Sequence, residues 1–499
     1  MASQHSRTRE RGAVLVIALV LVIARSAVFV FVSGSHFDSD QAVTGLMAKH
    51  LGEGRAFPVF WYGQAYLLAV EAWLAAPVMR VAGASVTALK APLLAINLAV
   101  AFLLLRLFER EAGLRPALAA LAALFFVVPS PITTAHFLTA NGGNIEPLLY
   151  VLLLWPLRRR PVWLGLVLGI GFLNREFTVY GAIALIVLQA ARGAFRTRDG
   201  WIRAFVMVAM AACVWVAAQA LHRHASAAGP GTTVADLYSG LPSNNLVELV
   251  RRTCLAPRAM VRGAGALFTV HWPELFGLER QRLTDFGIES TTRQGWTGAA
   301  WLLVAVFGIP ILRVAAVAAR ERGWPSRCDV CAYLVLVSLL SAAGYITARC
   351  GEVNFYTMRY ELLSALGACG LAAWYLAVER VRALRTAWIS AVALVIGVSL
   401  TAHARLAAEY LTGPPVPAKQ ALIEQLDARG VRYGYADFWV AYYVTFMTRE
   451  HVQLAATDAV RIRTYNRIVD AHRNEAVRVS RTPCAGGTQV TSAFWLCAP

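Results

Sequence analysis

Asp38 and Asp40 stand two residues apart in the run HFDSDQAVTG, directly after an apolar stretch (residues 12–32) long enough to cross a bilayer. Two carboxylates that leave a membrane together can take a proton from an attacking hydroxyl, share a cation, or hold one another in place. Capping of a helix over residues 41–51 accounts for Asp38 and Ser39. It accounts for one acidic residue and leaves Asp40 without a structural reason.

Other charged residues interrupt apolar segments. Glu71 lies in an apolar stretch, residues 66–78, that reads as an interfacial helix, and Glu146 follows His136 and the polar run Asn141-Gly142-Gly143-Asn144 at a helix end. A charge at the centre of a membrane helix costs roughly 2.5–3.5 kcal/mol on the lenient insertion scale, so such residues serve function or pair off. For Glu71 and Glu146 a contact to a sugar or an acceptor weighs evenly against cheap interfacial polarity. Arg175 and Glu176 are expected to form a local ion pair at a helical hairpin. A long segment, residues 222–294, carries Arg251, Arg252, Arg258, Arg262, His271, Arg280 and Arg282. On an outward face these arginines run against the orientation rule, and an anionic phosphate headgroup supplies the reason for them as a cluster; snorkelling suffices for any single one. Arg359, in FYTMRYELL, is the other candidate for that phosphate.

The elements that must hold these residues are membrane helices. Of the 499 residues, 58% are hydrophobic and only 15% charged, which excludes an ordinary soluble domain. The predicted fold is all-α and polytopic, with about eleven transmembrane spans: residues 12–32, 85–105, 116–133, 145–157, 161–174, 177–191, 202–221, 296–317, 329–347, 359–378 and 387–403. Basic clusters near residues 7–11, 106–115, 158–160, 192–203, 313–327 and 380–385 fall at every second turn. That alternation predicts the N-terminus inside and the C-terminus outside, and accounts for much of the net charge of +18. No basic stripe with interleaved aromatics is present, so a nucleic-acid partner is excluded. The first apolar run has no small-residue cleavage site and reads as a retained helix.

Two domains follow: a membrane domain over residues 1–403, with a catalytic outward loop at 33–83 and a large outward loop at 222–294, and a small extracytoplasmic α/β tail over 404–499. The tail opens with Pro414, Pro415 and Pro417, then reads as a helix (418–429) and a strand (431–435). Cys484 and Cys497 are expected to close one bridge there if the tail faces an oxidising compartment. Cys328 and Cys331 form a lone CxxC, which reads as two small residues at a membrane border.

Asp40-Gln41-Ala42, in the first outward loop after the first helix, resembles the Asp-Glu-Ala signature of the C-type glycosyltransferase superfamily, which includes protein O-mannosyltransferases and the aminoarabinose transferases that modify lipid A. The continuation GRAFPVFWYGQAYLLAVEAWLAAP is similar to a bacterial branch in which a segment with YGQ, here ending at Gln64, precedes a Glu in an apolar stretch, here Glu71. The resemblance covers about fifty residues closely and extends weakly over the multi-span layout. It implies a polyprenyl-phosphate sugar donor and an aspartate of this loop as the base or a metal ligand. With the readings above, the candidate catalytic residues are Asp40 and Asp38, and the candidate substrate-binding ones Gln64, Glu71, Glu146, Arg251, Arg252 and Arg359. A divalent cation is the one cofactor the loop could hold; Gln41 brings a neutral amide where the signature has Glu. The expected protein is a multi-pass transferase of a bacterial inner (plasma) membrane, moving a hexosyl or pentosyl group with inversion onto a hydroxyl acceptor of a cell-envelope glycan or glycolipid. The alternative is a membrane transporter or lipid flippase. It is less favoured because transporters show duplicated halves and polar residues at mid-membrane, whereas here the polar residues gather in loops on one face.

Overall fold

A computed structural model describes residues 2–32, 36–225, 256–277, 279–281, 293–296, 300–348 and 355–498. Ten helices carry the first half: α1 (Ala2–Phe31), α2 (Ser39–Gly52), α3 (Val70–Ala82), α4 (Val86–Arg110), α5 (Pro116–Val127), α6 (Pro131–Phe137), α7 (Glu146–Leu157), α8 (Pro161–Asn174), α9 (Thr178–Ala191) and α10 (Arg198–His224). Among the described residues seven helices are long and apolar enough to cross a membrane, or eight if the bent pair α5 and α6 is one span. The chain is a multi-pass membrane protein. The helices α7, α8 and α9 are apolar but shorter, at 12, 14 and 14 residues.

Local chemistry explains the breaks. The run 116–133, expected as one helix, divides into α5 and α6 with an 82° bend. Pro129 and Pro131 both lack an N–H. Ser130 restarts the helix by accepting the Thr133 N–H at 3.2 Å. Between α8 and α10 the approach depends on glycine: a Cβ at Gly165 would overlap the Met207 carbonyl oxygen, and one at Gly169 would lie 2.8 Å from Val214 Cβ. Small residues four apart are how membrane helices bring their backbones together.

Direction within the bundle follows from its ends. Arg11 near the start of α1 pairs with Glu109 near the end of α4, and Thr87 near the start of α4 donates to the carbonyl of Val30 at 2.9 Å. Asp40, just past α1, and Arg110 therefore lie at opposite ends of the bundle, separated by about 37 Å of α4. The final apolar run, expected over 387–403, is a helix from Arg382 to Thr412, so its last turns extend past the bundle end beside Asp40.

The tail is a small α/β unit. The helix expected over 418–429 spans Ala418–Ala428, and the strand expected over 431–435 lies two residues later at its start, Tyr433–Ala436. The sheet has five strands in the order Gln453–Ala456, Tyr433–Ala436, Val477–Ser480, Phe494–Cys497 and Thr488–Thr491, the first three parallel and the last two antiparallel. A disulfide joins Cys484 to Cys497, whose Cα atoms are 6.1 Å apart. Cys328 and Cys331 are free and buried.

The tail packs on α2. Its helix Phe438–Met447 stacks Tyr443 and Phe446 against Phe37, with ring centroids 5.8 and 5.3 Å apart. Gly45 of α2 lets Phe446 in, since a Cβ there would lie 2.5 Å from the ring. Beside this contact the buried Glu450 carboxylate gathers Lys49 and Arg55, His50 Nε2 at 3.3 Å and the Tyr465 hydroxyl at 2.8 Å. The helix that carries Asp40 is thus clamped between the bundle and the tail.

Candidate active site

The two aspartates do different things. Asp38 is buried, and its Oδ1 accepts the Gln41 N–H at 3.0 Å, so it is the N-cap of α2. Ser39 is taken up by the tail, accepting the Tyr443 N–H at 3.3 Å. Gln41 turns inward and donates to the His36 carbonyl at 3.4 Å. The same carbonyl accepts from Lys90 Nζ at 2.8 Å, and His36 Nε2 meets the Tyr410 hydroxyl at 2.9 Å. With its neighbours tied down, Asp40 alone presents a carboxylate that receives no hydrogen bond from the described residues.

Cations from three separate elements act on that carboxylate. Its electrostatic neighbours are Arg359, on the turn Phe355–Glu361, Arg461 of the tail, and Arg175 between α8 and α9. Burial and the adjacent Asp38 nevertheless push Asp40 up to about 6, against the pull of those three guanidiniums. A base with that value is ionised at neutral pH and still holds a proton well enough to take one in a transition state.

Arg175 corrects the expectation of a local pair with Glu176. No such ion pair forms; the guanidinium instead donates from Nη1 to the Gly142 carbonyl at 3.2 Å and lies 5.3 Å from the Phe177 ring. Gly142 and Gly143, with φ of 89° and 94°, adopt a conformation that only glycine takes readily. Their consecutive N–H groups converge on Glu71, at 2.8 and 2.9 Å. Burial pushes Glu71 up to about 7 despite these two donors, and its carboxyl lies within hydrogen-bonding reach of Glu146. Glu146 is 1% exposed and accepts from no N–H or O–H.

The remaining expected residues divide. Gln64 opens the second strand of the hairpin Phe60–Trp61 with Gln64–Leu68, and Arg461 Nη1 reaches the Gly63 carbonyl beside it at 3.5 Å. Arg359 is brought to Asp40, while Arg258 and Arg262 lie exposed on the helix Pro257–Ala266 and are not. Arg251, Arg252 and Arg282 lie outside the described residues. His271 is buried and pairs with Thr357, two residues from Arg359, at 3.1 Å.

Sequence reasoning missed Lys90 and Arg461. Lys90, 1% exposed within α4, carried a signal, because a lysine inside an apolar run needs a partner or a purpose. Arg461 carried none. It is one arginine among many in a polar tail, and only the packing of the tail brings it between the rings of Trp61 and Phe438, at 5.1 and 5.9 Å.

No family model matches the chain, and no curated protein sequence does. Solved structures do match. ArnT from Cupriavidus metallidurans bound to undecaprenyl phosphate is 13% identical and aligns over 96% of this chain and 97% of its own, with a TM-score of 0.57. The archaeal oligosaccharyltransferase AglB from Archaeoglobus fulgidus, in complex with an inhibitory peptide and a dolichol-phosphate, is 13% identical over 94% of this chain and 69% of its own, with a TM-score of 0.54. The apo form of the Archaeoglobus fulgidus oligosaccharyltransferase is 14% identical with the same coverage and a TM-score of 0.53. The chain has the C-type glycosyltransferase fold. A divalent cation fits less well: Asp38 is spent on capping, Gln41 is neutral, and no three His, Cys, Asp or Glu side chains come together among the described residues.

Proposed function

We propose that this protein is an inverting glycosyltransferase that moves a sugar from a polyprenyl-phosphate donor to a hydroxyl acceptor, with Asp40 as general base. The observation that carries the reading is the convergence of Arg175, Arg359 and Arg461 on the one unbonded carboxylate of the first loop. The C-type fold, and lipid-phosphate ligands in two of the similar structures, support the donor class. In the step, the acceptor oxygen bonds to the anomeric carbon as its proton passes to Asp40. The bond from that carbon to the phosphate oxygen breaks on the opposite face, and the lipid phosphate leaves with the electron pair. Arg359, on the turn Phe355–Glu361, and Arg175, between α8 and α9, offset the charge that grows on the departing phosphate. Asp38 positions Asp40 by fixing the first turn of α2. The reading also takes the charge alternation as the orientation, with Asp40 and the tail outside a bacterial inner membrane and eleven spans made up by α7, α8 and α9.

The test uses detergent-purified protein and a panel of undecaprenyl-phosphate-linked sugars, with release of undecaprenyl phosphate as the readout. Asp40→Asn keeps size and hydrogen bonding and is expected to lower turnover by about 10²–10⁴-fold with the fold intact. Near-normal release by Asp40→Asn overturns the assignment, because Asn caps and packs as well as Asp.

A further inference from the structure

At the end of the bundle opposite Asp40, a cavity of about 740 Å³ opens between helix ends, a volume suited to a small ligand or a headgroup. Six arginines line it: Arg110, Arg158, Arg159, Arg192, Arg203 and Arg327. Three carboxylates, Glu111, Asp199 and Asp329, answer them, leaving a surplus of three positive charges. The pairing is uneven. Arg158 pairs with Glu111 at 3.0 Å, and Arg192 holds Asp329 while donating to the Trp324 carbonyl. Arg110, Arg159 and Arg203 pair with no carboxylate among the described residues, although they come from α4, the α7–α8 turn and α10.

Orientation of helices requires charge at one end of the bundle; it requires neither a cavity nor convergence on it. Two further features point inward. Trp155, on the cavity wall under Arg158, is buried with an indole N–H that has no acceptor. Thr197, Asp199 and Gly200, at the start of the 27-residue helix α10, line the cavity too, adding the positive end of its dipole. Guanidiniums, an orphaned N–H and a helix N-terminus all call for the same ligand chemistry, an anionic oxygen cluster. Basic pockets between membrane helices hold anionic lipid headgroups, and Leu185 and Leu188 give this one an apolar wall for the chains beneath.

We propose that this cavity binds a phosphate group, supplied by the headgroup of an anionic phospholipid. The site is separate from the transferase chemistry, and its test does not depend on it. Detergent-purified full-length protein is titrated with phosphatidylglycerol, cardiolipin or phosphatidylcholine under native mass spectrometry, and thermal stability is followed in inorganic phosphate and glycerol phosphate. Arg159→Ala with Arg203→Ala removes two exposed, unpaired side chains, so folding is preserved. Each loss is expected to weaken anionic-lipid binding about fivefold, about 25-fold together. Arg382→Ala, on the same end but outside the cavity, is expected to leave affinity unchanged. Saturable stabilisation by inorganic phosphate that the double variant abolishes, without a lipid preference, supports the phosphate site and assigns it to a soluble phosphate compound. Equal binding of anionic and zwitterionic lipids with no effect of phosphate overturns the proposal, as does an equal loss of affinity in Arg382→Ala.

Discussion

Asp40 sits where opposing effects nearly balance. Burial and Asp38 raise its proton affinity, and three arginines lower it, with the outcome near 6. Only the ionised carboxylate accepts a proton, so turnover is expected to fall about tenfold per pH unit below that value. Removing a cation raises the proton affinity further. Arg461→Ala should therefore move the acidic limb of the pH–rate profile upward, and Arg461→Lys should restore it. An unmoved limb in Arg461→Ala would mean that the tail arginine does not act on the base. The pair Asp38 and Asp40 also shows how one spacing hides two roles: a cap spends its lone pairs on backbone N–H groups, and the residue two positions on does not.

At the scale of elements, α2 is held from both sides, and the charged part of its contact with the tail centres on one acid. Lys49, His50, Arg55 and Tyr465 all turn to Glu450. Glu450→Gln removes the acid that Lys49 and Arg55 share across the interface and leaves both only the exposed Glu53, which weakens the docking. The expected result is a tail that undocks without unfolding, read as faster hydrogen exchange in α2 and in Phe438–Met447 while the five-stranded sheet stays protected. Unchanged exchange across both helices would show that the aromatic contact of Phe37 with Tyr443 and Phe446 holds the tail alone. Gly45 tests the same surface from the other side, since any larger residue there must displace Phe446.

The whole molecule is a bundle with unlike ends. One end carries Asp40, Gly142, Gly143 and the docked tail; the other carries the arginine-lined cavity. If those arginines orient the helices, a reporter fused after Pro499 faces the extracytoplasmic side and one near Arg198 faces the cytoplasm. Both reporters on one side would overturn the orientation. The bridge between Cys484 and Cys497 gives an independent check, because a tail in an oxidising compartment keeps it closed in protein extracted without reductant. Two free thiols there would put the tail on the reducing side.

Membrane character was legible from the sequence because hydropathy acts locally: about twenty apolar residues in a row can satisfy their own backbone only as a helix. The first-loop aspartates, the helix after them and the tail's first helix and strand were legible for the same reason, each resting on neighbours a few residues away. Helix ends and bends were less so, since Ser130 between two prolines decides a bend that mean hydropathy averages out. What only the tertiary structure decided is which distant charges meet. Arg175 was expected to turn to Glu176 beside it and instead reaches the Gly142 loop; Arg461 lies 421 positions from Asp40 and joins it because two aromatic surfaces pack. Local patterns specify elements, whereas a site is set by long-range packing, in which each contact depends on all the others being made.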